Sequence, residues 1–69
     1  MFSLTETGRD VHNALTLYNS GDYTASLEPW KKVIDKNPNF QLAYIGIGNA
    51  LYNEGDYAQA MDYYELGKY

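Results

Sequence analysis

The sequence predicts an all-α fold of two similar antiparallel helix hairpins, and a repeated block carries this prediction. Residues 17–23 read LYNSGDY and residues 51–57 read LYNEGDY, so six of seven positions are identical at an offset of 34 residues. Self-similarity at such a period is typical of stacked helical repeats, in which one helix pair cannot bury its apolar face alone. No segment alternates polar and apolar residues with period two, so strands have no support.

The first helix is predicted from a start signal and from apolar spacing. Ser3 and Glu6 stand three positions apart, which is the spacing of a capping box. Apolar residues then recur close to one helical face, at Leu4, Val11, Leu15 and Tyr18. We therefore expect a helix from about residue 5 to residue 20, ended by Gly21.

The second helix is expected to follow at once. Asp22 can accept backbone N–H groups as its N-cap. Its apolar stripe reaches to about Lys36, before Asn37 and Pro38 break the chain, and comprises Leu27, Trp30, Val33 and Ile34.

Pro29 lies inside this second stretch, where it removes one helical hydrogen bond at a cost of about 3 kcal/mol if the helix stays straight. We expect a kink between residues 25 and 29. In the alternative, the helix begins only near residue 28 with Pro29 in its first turn. That alternative is less favoured, because it leaves residues 23–27 without regular structure.

The remaining two helices repeat the pattern. Asn39 is the expected cap of the third helix, whose apolar residues are Leu42, Ile45, Ile47, Ala50 and Leu51. Gly55 then ends the third helix and Asp56 caps the fourth, as Gly21 and Asp22 are expected to do in the first copy. The fourth helix is expected from Tyr57 to about Leu66.

Length and composition limit the function. A chain of 69 residues supports one small domain, which buries only about 60% of its unfolded surface. A net charge of −4 disfavours nucleic acid, and the absence of cysteine removes thiolate chemistry and cysteine-based zinc sites. No apolar run reaches the about 18 residues of a membrane span, and residues 1–6 lack a signal-peptide pattern. We expect no direct membrane contact and, by default, a cytoplasmic location.

The repeated unit resembles the tetratricopeptide repeat (TPR), whose period is 34 residues. The first copy matches this pattern at Ala14, Leu17, Gly21, Tyr23, Ser26, Trp30 and Pro38, and the second at Tyr44, Ile47, Gly48, Leu51, Gly55, Tyr57, Ala60 and Tyr64. The resemblance implies a right-handed solenoid of four helices in a single domain over residues 1–69. Repeat one covers about residues 7–40 and a truncated repeat two about residues 41–69. Asp10, Asn13 and Pro29 depart from the pattern.

Alternating small and large residues predict how the helices pack. Ala14, Ser26, Gly48 and Ala60 are small where paired helices must approach closely, and Leu17, Trp30, Leu51 and Tyr64 can fill the space between them. Gly46 lies beside Gly48 on the third helix without a strand before it, so a phosphate loop is not expected. Gly46 instead indicates a bulky neighbour.

The resemblance implies a partner-binding groove on the inner helices of the stack. Its residues are Val11, Leu15, Tyr18, Asn19, Leu42, Ile45, Asn49, Tyr52 and Asn53. Apolar side chains, tyrosines and asparagines suit a surface that buries a partner's side chains and holds its backbone. In the alternative, three of these residues pack between the inner helices and do not contact a partner, namely Val11, Leu15 and Ile45. This face has no Lys or Arg, so it does not resemble the family's clamp for acidic carboxylates.

No catalytic, cofactor or metal site is expected. His12 is the only histidine, and the chain has no cysteine to act with it. Asp62 and Glu65 could hold a hard cation weakly, but a solvated acidic face is favoured. An enzyme is therefore disfavoured, and a non-catalytic module that binds a protein or peptide partner is the leading hypothesis.

The truncated second copy predicts a second exposed surface. The outer side of the fourth helix would carry Tyr57, Met61 and Tyr64, which another helix normally covers in this family. We expect either that more chain covers this face or that two copies cover each other. The alternative function is therefore a structural piece that forms homo-oligomers, or a fragment of a longer repeat protein.

Overall fold

The computed structural model describes residues 4–68 and contains four α-helices and no strand within that range. The helices are α1 (Leu4–Asn19), α2 (Tyr23–Lys36), α3 (Gln41–Asn53) and α4 (Tyr57–Gly67). The all-α prediction is confirmed, and the predicted ends of α1 and α4 are within one residue of those observed. Ser3, the expected first cap, lies outside the described residues.

Polar contacts fix the direction of the helices relative to one another. The Asn37 Nδ2 donates to the Thr7 hydroxyl at 3.0 Å, which joins the end of α2 to the start of α1. The Thr24 hydroxyl donates to the Glu54 carboxylate, which joins the start of α2 to the residue after α3. In both of these helix pairs the two helices are therefore antiparallel. Packing links α1 with α2, α2 with α3 and α3 with α4, as in a helical bundle or a helical repeat.

The two Gly-Asp turns have the same geometry. Gly21 and Gly55 have φ of +84° and +90°, a left-handed conformation that a residue with a Cβ rarely adopts. In both turns the aspartate N–H donates to the carbonyl five residues back at 2.9 Å, and the glycine N–H donates to the carbonyl three residues back at 3.0 Å. These paired bonds form a Schellman motif, which satisfies the last carbonyls of α1 and α3.

The helix caps differ between the two copies. Asp56 accepts the Gln59 backbone N–H at 3.2 Å, and the Gln59 side-chain Nε2 donates to the same carboxylate at 2.7 Å. The Asp22 side chain makes no cap hydrogen bond, so the prediction for Asp22 is wrong in this respect. Ala25 occupies the position equivalent to Gln59, and alanine has no amide to hold the carboxylate over the helix end.

The expected cap at Asn39 is also wrong, because Phe40 is the residue that precedes α3. The Phe40 N–H donates to the Asn37 carbonyl at 3.0 Å, which closes a four-residue turn. Pro38 takes the second position of this turn, where its fixed φ is favourable. Asn39 is therefore part of the turn between the helices, and its side chain is exposed.

Pro29 lies within α2, which begins at Tyr23 and continues to Lys36. The alternative of a helix that begins near residue 28 is therefore wrong. The proline ring is buried, and its missing N–H leaves the Ala25 carbonyl without its helical donor. The kink expected between residues 25 and 29 stays a prediction.

Small residues let the helices approach, as the sequence indicated. A Cβ on Gly48 would lie 2.6 Å from Cδ1 of Tyr64, and a Cβ on Gly46 would lie 2.3 Å from Cε2 of Trp30. Trp30 is therefore the bulky neighbour that Gly46 requires. The buried hydrophobic cluster contains Ala14, Trp30, Val33, Ala43, Ile47, Leu51 and Ala60.

Candidate functional site

The nine residues predicted to form a groove lie on α1 and α3, and we call this surface the inner face. The two helices run in the same direction, and the Asn53 Nδ2 donates to the Tyr18 hydroxyl at 2.9 Å across them. Five of the nine residues line one cavity of about 80 Å³ together with Trp30 and Gly46, namely Leu15, Tyr18, Leu42, Ile45 and Asn49. We call it the inner-face cavity.

The inner-face cavity has open walls and a closed floor. Leu15 of α1 and Leu42 of α3 are 43% and 48% exposed, whereas Trp30 of α2 is 1% exposed. Its volume of about 80 Å³ is far below the about 300 Å³ of the smallest typical small-molecule pockets. The cavity therefore has the size for one side chain of a larger ligand.

The indole nitrogen of Trp30 lies buried at this floor without a hydrogen-bond partner among the described residues. A Cβ on Gly46 would lie 2.6 Å from this nitrogen, so the indole edge lies directly under the backbone of Gly46. An unsatisfied buried donor costs about 1–3 kcal/mol.

Hydrogen bonds orient the asparagines of α3. The Tyr64 hydroxyl donates to Oδ1 of Asn49 at 2.6 Å. The Nδ2 of Asn53 donates to the Asn49 carbonyl at 2.8 Å as well as to Tyr18. Within residues 4–68, Nδ2 of Asn49 and Oδ1 of Asn53 have no further protein partner. The inner face therefore offers one amide donor and one amide acceptor.

Tyr64 of α4 contacts the inner face through Asn49, although the sequence grouped it with Tyr57 and Met61. Burial raises the pKa of Tyr64, and the nearby hydroxyls of Tyr18 and Tyr52 raise it further. Tyr57 and Met61 are 58% and 64% exposed, as expected for a bare surface.

The other predicted groove residues differ in their surroundings. Val11 is half-buried against the hydrophobic cluster, in agreement with the packing alternative, while Asn19 is exposed. Ile45 is also half-buried, and its Cδ1 lies 2.8 Å from the place that a Cβ on Gly67 would take. Tyr52 is 56% exposed and packs edge-on against Tyr57 at a ring distance of 5.0 Å.

Basic side chains are confined to one half of the molecule along the helix axes, whereas acidic side chains occur in both halves. We call the end of the molecule that carries the two Gly-Asp turns the turn end. It holds the carboxylates of Asp22, Glu54 and Asp56, next to the inner face at Asn53. All Lys and Arg residues of the chain lie away from this end, in the opposite halves of the helices or just after α4, namely Arg9, Lys31, Lys32, Lys36 and Lys68. The turn end is therefore acidic.

The residues considered for other chemistry lie on the surface. His12, Asp62 and Glu65 are all exposed. Among residues 4–68, no group of three or more His, Asp or Glu side chains is placed to hold a metal ion. No helix in this part of the chain has the length and apolar character needed to cross a bilayer.

Sequence reasoning missed two members of the inner-face cavity, Trp30 and Gly46. The sequence pattern puts Trp30 between paired helices, and only the fold shows that its indole forms the cavity floor. The glycine pair Gly46 and Gly48 on one helix was the available signal, because a helix interior disfavours glycine.

No family model matches the sequence, and no match is found among curated proteins or among solved structures.

Proposed function

We propose that this chain is a non-catalytic protein interaction module whose inner face binds a peptide or helix of a partner protein. The observation that carries the proposal is the apolar cavity between α1 and α3, with its exposed leucine walls at Leu15 and Leu42. Exposed aliphatic walls around a closed floor favour burial of a partner's side chain.

The same proposal includes a TPR-type solenoid of two repeats. Equivalent contacts at an offset of 34 residues support it. The rings of Tyr18 and Tyr23 meet edge-on at 5.1 Å, and those of Tyr52 and Tyr57 meet in the same way at 5.0 Å. The two turns also share their hydrogen bonds. Stacked hairpins of this kind present a concave surface for partners.

The chemistry of the inner face supports binding rather than catalysis. Its groups are aliphatic side chains, phenols and carboxamides, and none of these activates a nucleophile or a water molecule at neutral pH. Amides and phenols instead exchange hydrogen bonds with a peptide backbone.

The test is a selection of binding peptides from a random display library, followed by NMR titration of the best binder. We expect amide shifts at Leu15, Tyr18 and Asn49. The variant Leu15→Ser should lose binding, whereas Leu66→Ser should retain it, because Leu66 is a similarly exposed leucine on α4 outside the inner-face cavity. Shifts confined to the outer helices, or no binder at all, would overturn the proposal.

A second candidate function is self-association through α4. The exposure of Tyr57 and Met61 favours it, because each square ångström of apolar surface left in water costs about 25 cal/mol. Sedimentation at increasing concentration tests it, with Met61→Lys expected to shift any dimer towards monomer. A concentration-independent monomer would remove this candidate.

A further inference from the structure

We infer that the ligand of the inner face is an extended, cationic peptide segment with one aliphatic anchor side chain, followed towards the turn end by a Lys or Arg. This inference rests on the proposed function and names the class of partner.

The single anchor follows from the inner-face cavity. At about 80 Å³ it has room for one side chain and not for two. Its walls are Leu15, Leu42 and Ile45, and the Nε1 of Trp30 at its floor is buried under Gly46, so an aliphatic group replaces water most favourably. A charged group there would lose its hydration without gaining an ionic partner.

The cation follows from the charges at the turn end. Asp22 and Glu54 line one cleft there, and no lysine or arginine of the chain lies in this half of the molecule. A cationic group is therefore attracted to this end, and an acidic peptide is repelled.

The register of the two groups follows from α3, which reaches both places. Asn49 lines the inner-face cavity, and Glu54 follows it by five positions. Five positions correspond to about 7.5 Å along a helix axis at 1.5 Å per residue. An extended chain covers that distance in two or three residues at about 3.3 Å each. The cationic residue should therefore lie two or three positions from the anchor.

The free amide groups favour an extended ligand over a helical one. The donor of Asn49 and the acceptor of Asn53 are one helical turn apart, which is about 6 Å. Groups on alternate residues of an extended peptide are separated by about 6.6 Å and point to the same side. A helical ligand would have its backbone groups already paired.

The test is selection of peptides from a random library on the full chain, followed by titration of synthetic peptides with Trp30 fluorescence as the readout. The selected peptides should share an aliphatic residue with Lys or Arg two or three positions away. Replacing that cation by glutamine should weaken binding about fivefold. The difference should vanish in about 1 M salt, where the Debye length is about 3 Å.

Matched variants separate the parts of the inference. Glu54→Gln keeps an acceptor for Thr24 and should remove most of the preference for a cationic peptide, while Glu65→Gln, also exposed and on α4, should leave it intact. Binders that shift the amides of Leu15 and Asn49 but carry neutral or acidic residues would overturn this inference and leave the proposed function standing. If no library member binds the inner face, both fall.

Discussion

The indole of Trp30 packs directly against Gly46, which has no side chain beyond a hydrogen atom. The indole of Trp30 occupies the space that a Cβ on Gly46 would need, at 2.3 Å from Cε2. This contact holds the second helix of one hairpin against the first helix of the other, and it sets the depth of the inner-face cavity. The interface between the hairpins therefore depends on one residue that has no side chain.

Substitution of Gly46 should accordingly be costly. We expect Gly46→Ala to lower the free energy of unfolding by about 1–3 kcal/mol, because the added methyl group must displace the indole. Gly8→Ala is the matched control, since Gly8 lies in α1 and a methyl group added there would have nothing within 4 Å. In that control the free energy of unfolding should rise by about 0.5–1 kcal/mol. Denaturant unfolding of both variants measures the difference, and equal effects would contradict the predicted contact.

Tyr64 should make stability depend on pH in the alkaline range. Burial raises its pKa above the ordinary value of 10.0, so the folded state holds the phenolic proton more tightly than the unfolded state does. The resulting stabilisation is fully present below pH 10.0 and is lost as the pH rises through the raised pKa of the folded state.

The variant Tyr64→Phe tests this directly. At neutral pH the free energy of unfolding of this variant should be lower by about 1 kcal/mol, because the hydrogen bond to Asn49 is missing. Above pH 10.0, its free energy of unfolding should fall less steeply than that of the unchanged protein. Parallel curves for the two proteins, obtained by denaturant unfolding at each pH, would refute the assignment.

At the scale of the helices, the two equivalent caps offer an internal comparison. Asp56 holds the start of α4 through Gln59, whereas Asp22 has the same position before α2 and no side-chain cap bond. Asp56→Ala should therefore lower the free energy of unfolding by about 1 kcal/mol, a typical effect for a lost cap.

Asp22→Ala should change the same quantity much less, and thermal unfolding of the two variants compares them. A loss at Asp22 as large as that at Asp56 would show that its carboxylate caps α2 in solution. The pair is well matched, because both residues follow a glycine with positive φ.

The helices themselves could be predicted because their signals are local. Gly21 and Gly55 end α1 and α3, and a glycine after an apolar helical stretch is a strong stop signal. The cap predictions for Asn39 and Asp22 were wrong for a different reason. A cap requires a particular side-chain rotamer and turn, and the turn at Pro38 and the alanine at position 25 decide these without changing the helix pattern.

At the scale of the whole molecule, the hairpins should unfold together. Trp30 lies at the contact between them, and the hydrophobic cluster contains residues of all four helices. Denaturation followed by tryptophan fluorescence, which reports this contact, should coincide with denaturation followed by circular dichroism, which reports all helices. A fluorescence transition that precedes the loss of helix would show that the hairpins separate first.

The inner-face cavity could be predicted only in part. The resemblance to the TPR pattern implied that Leu15, Leu42 and Asn49 share one face, and the structure brings them to one cavity. The floor could not be predicted, because Trp30 and Gly46 are distant in the sequence and meet only once α2 packs on α3. The position of Tyr64 beside Asn49 likewise depends on the packing of α4.

The turn end carries carboxylates without Lys or Arg, whereas the other half of the molecule carries carboxylates together with every Lys and Arg, and this unequal distribution gives the molecule an electric dipole moment. A dipole turns in the field of an approaching charged body, so a positively charged protein should meet the Glu54 end first. Such pre-orientation accelerates encounter without adding to the lifetime of the complex. Association rates should therefore slow with rising ionic strength, while dissociation rates change little.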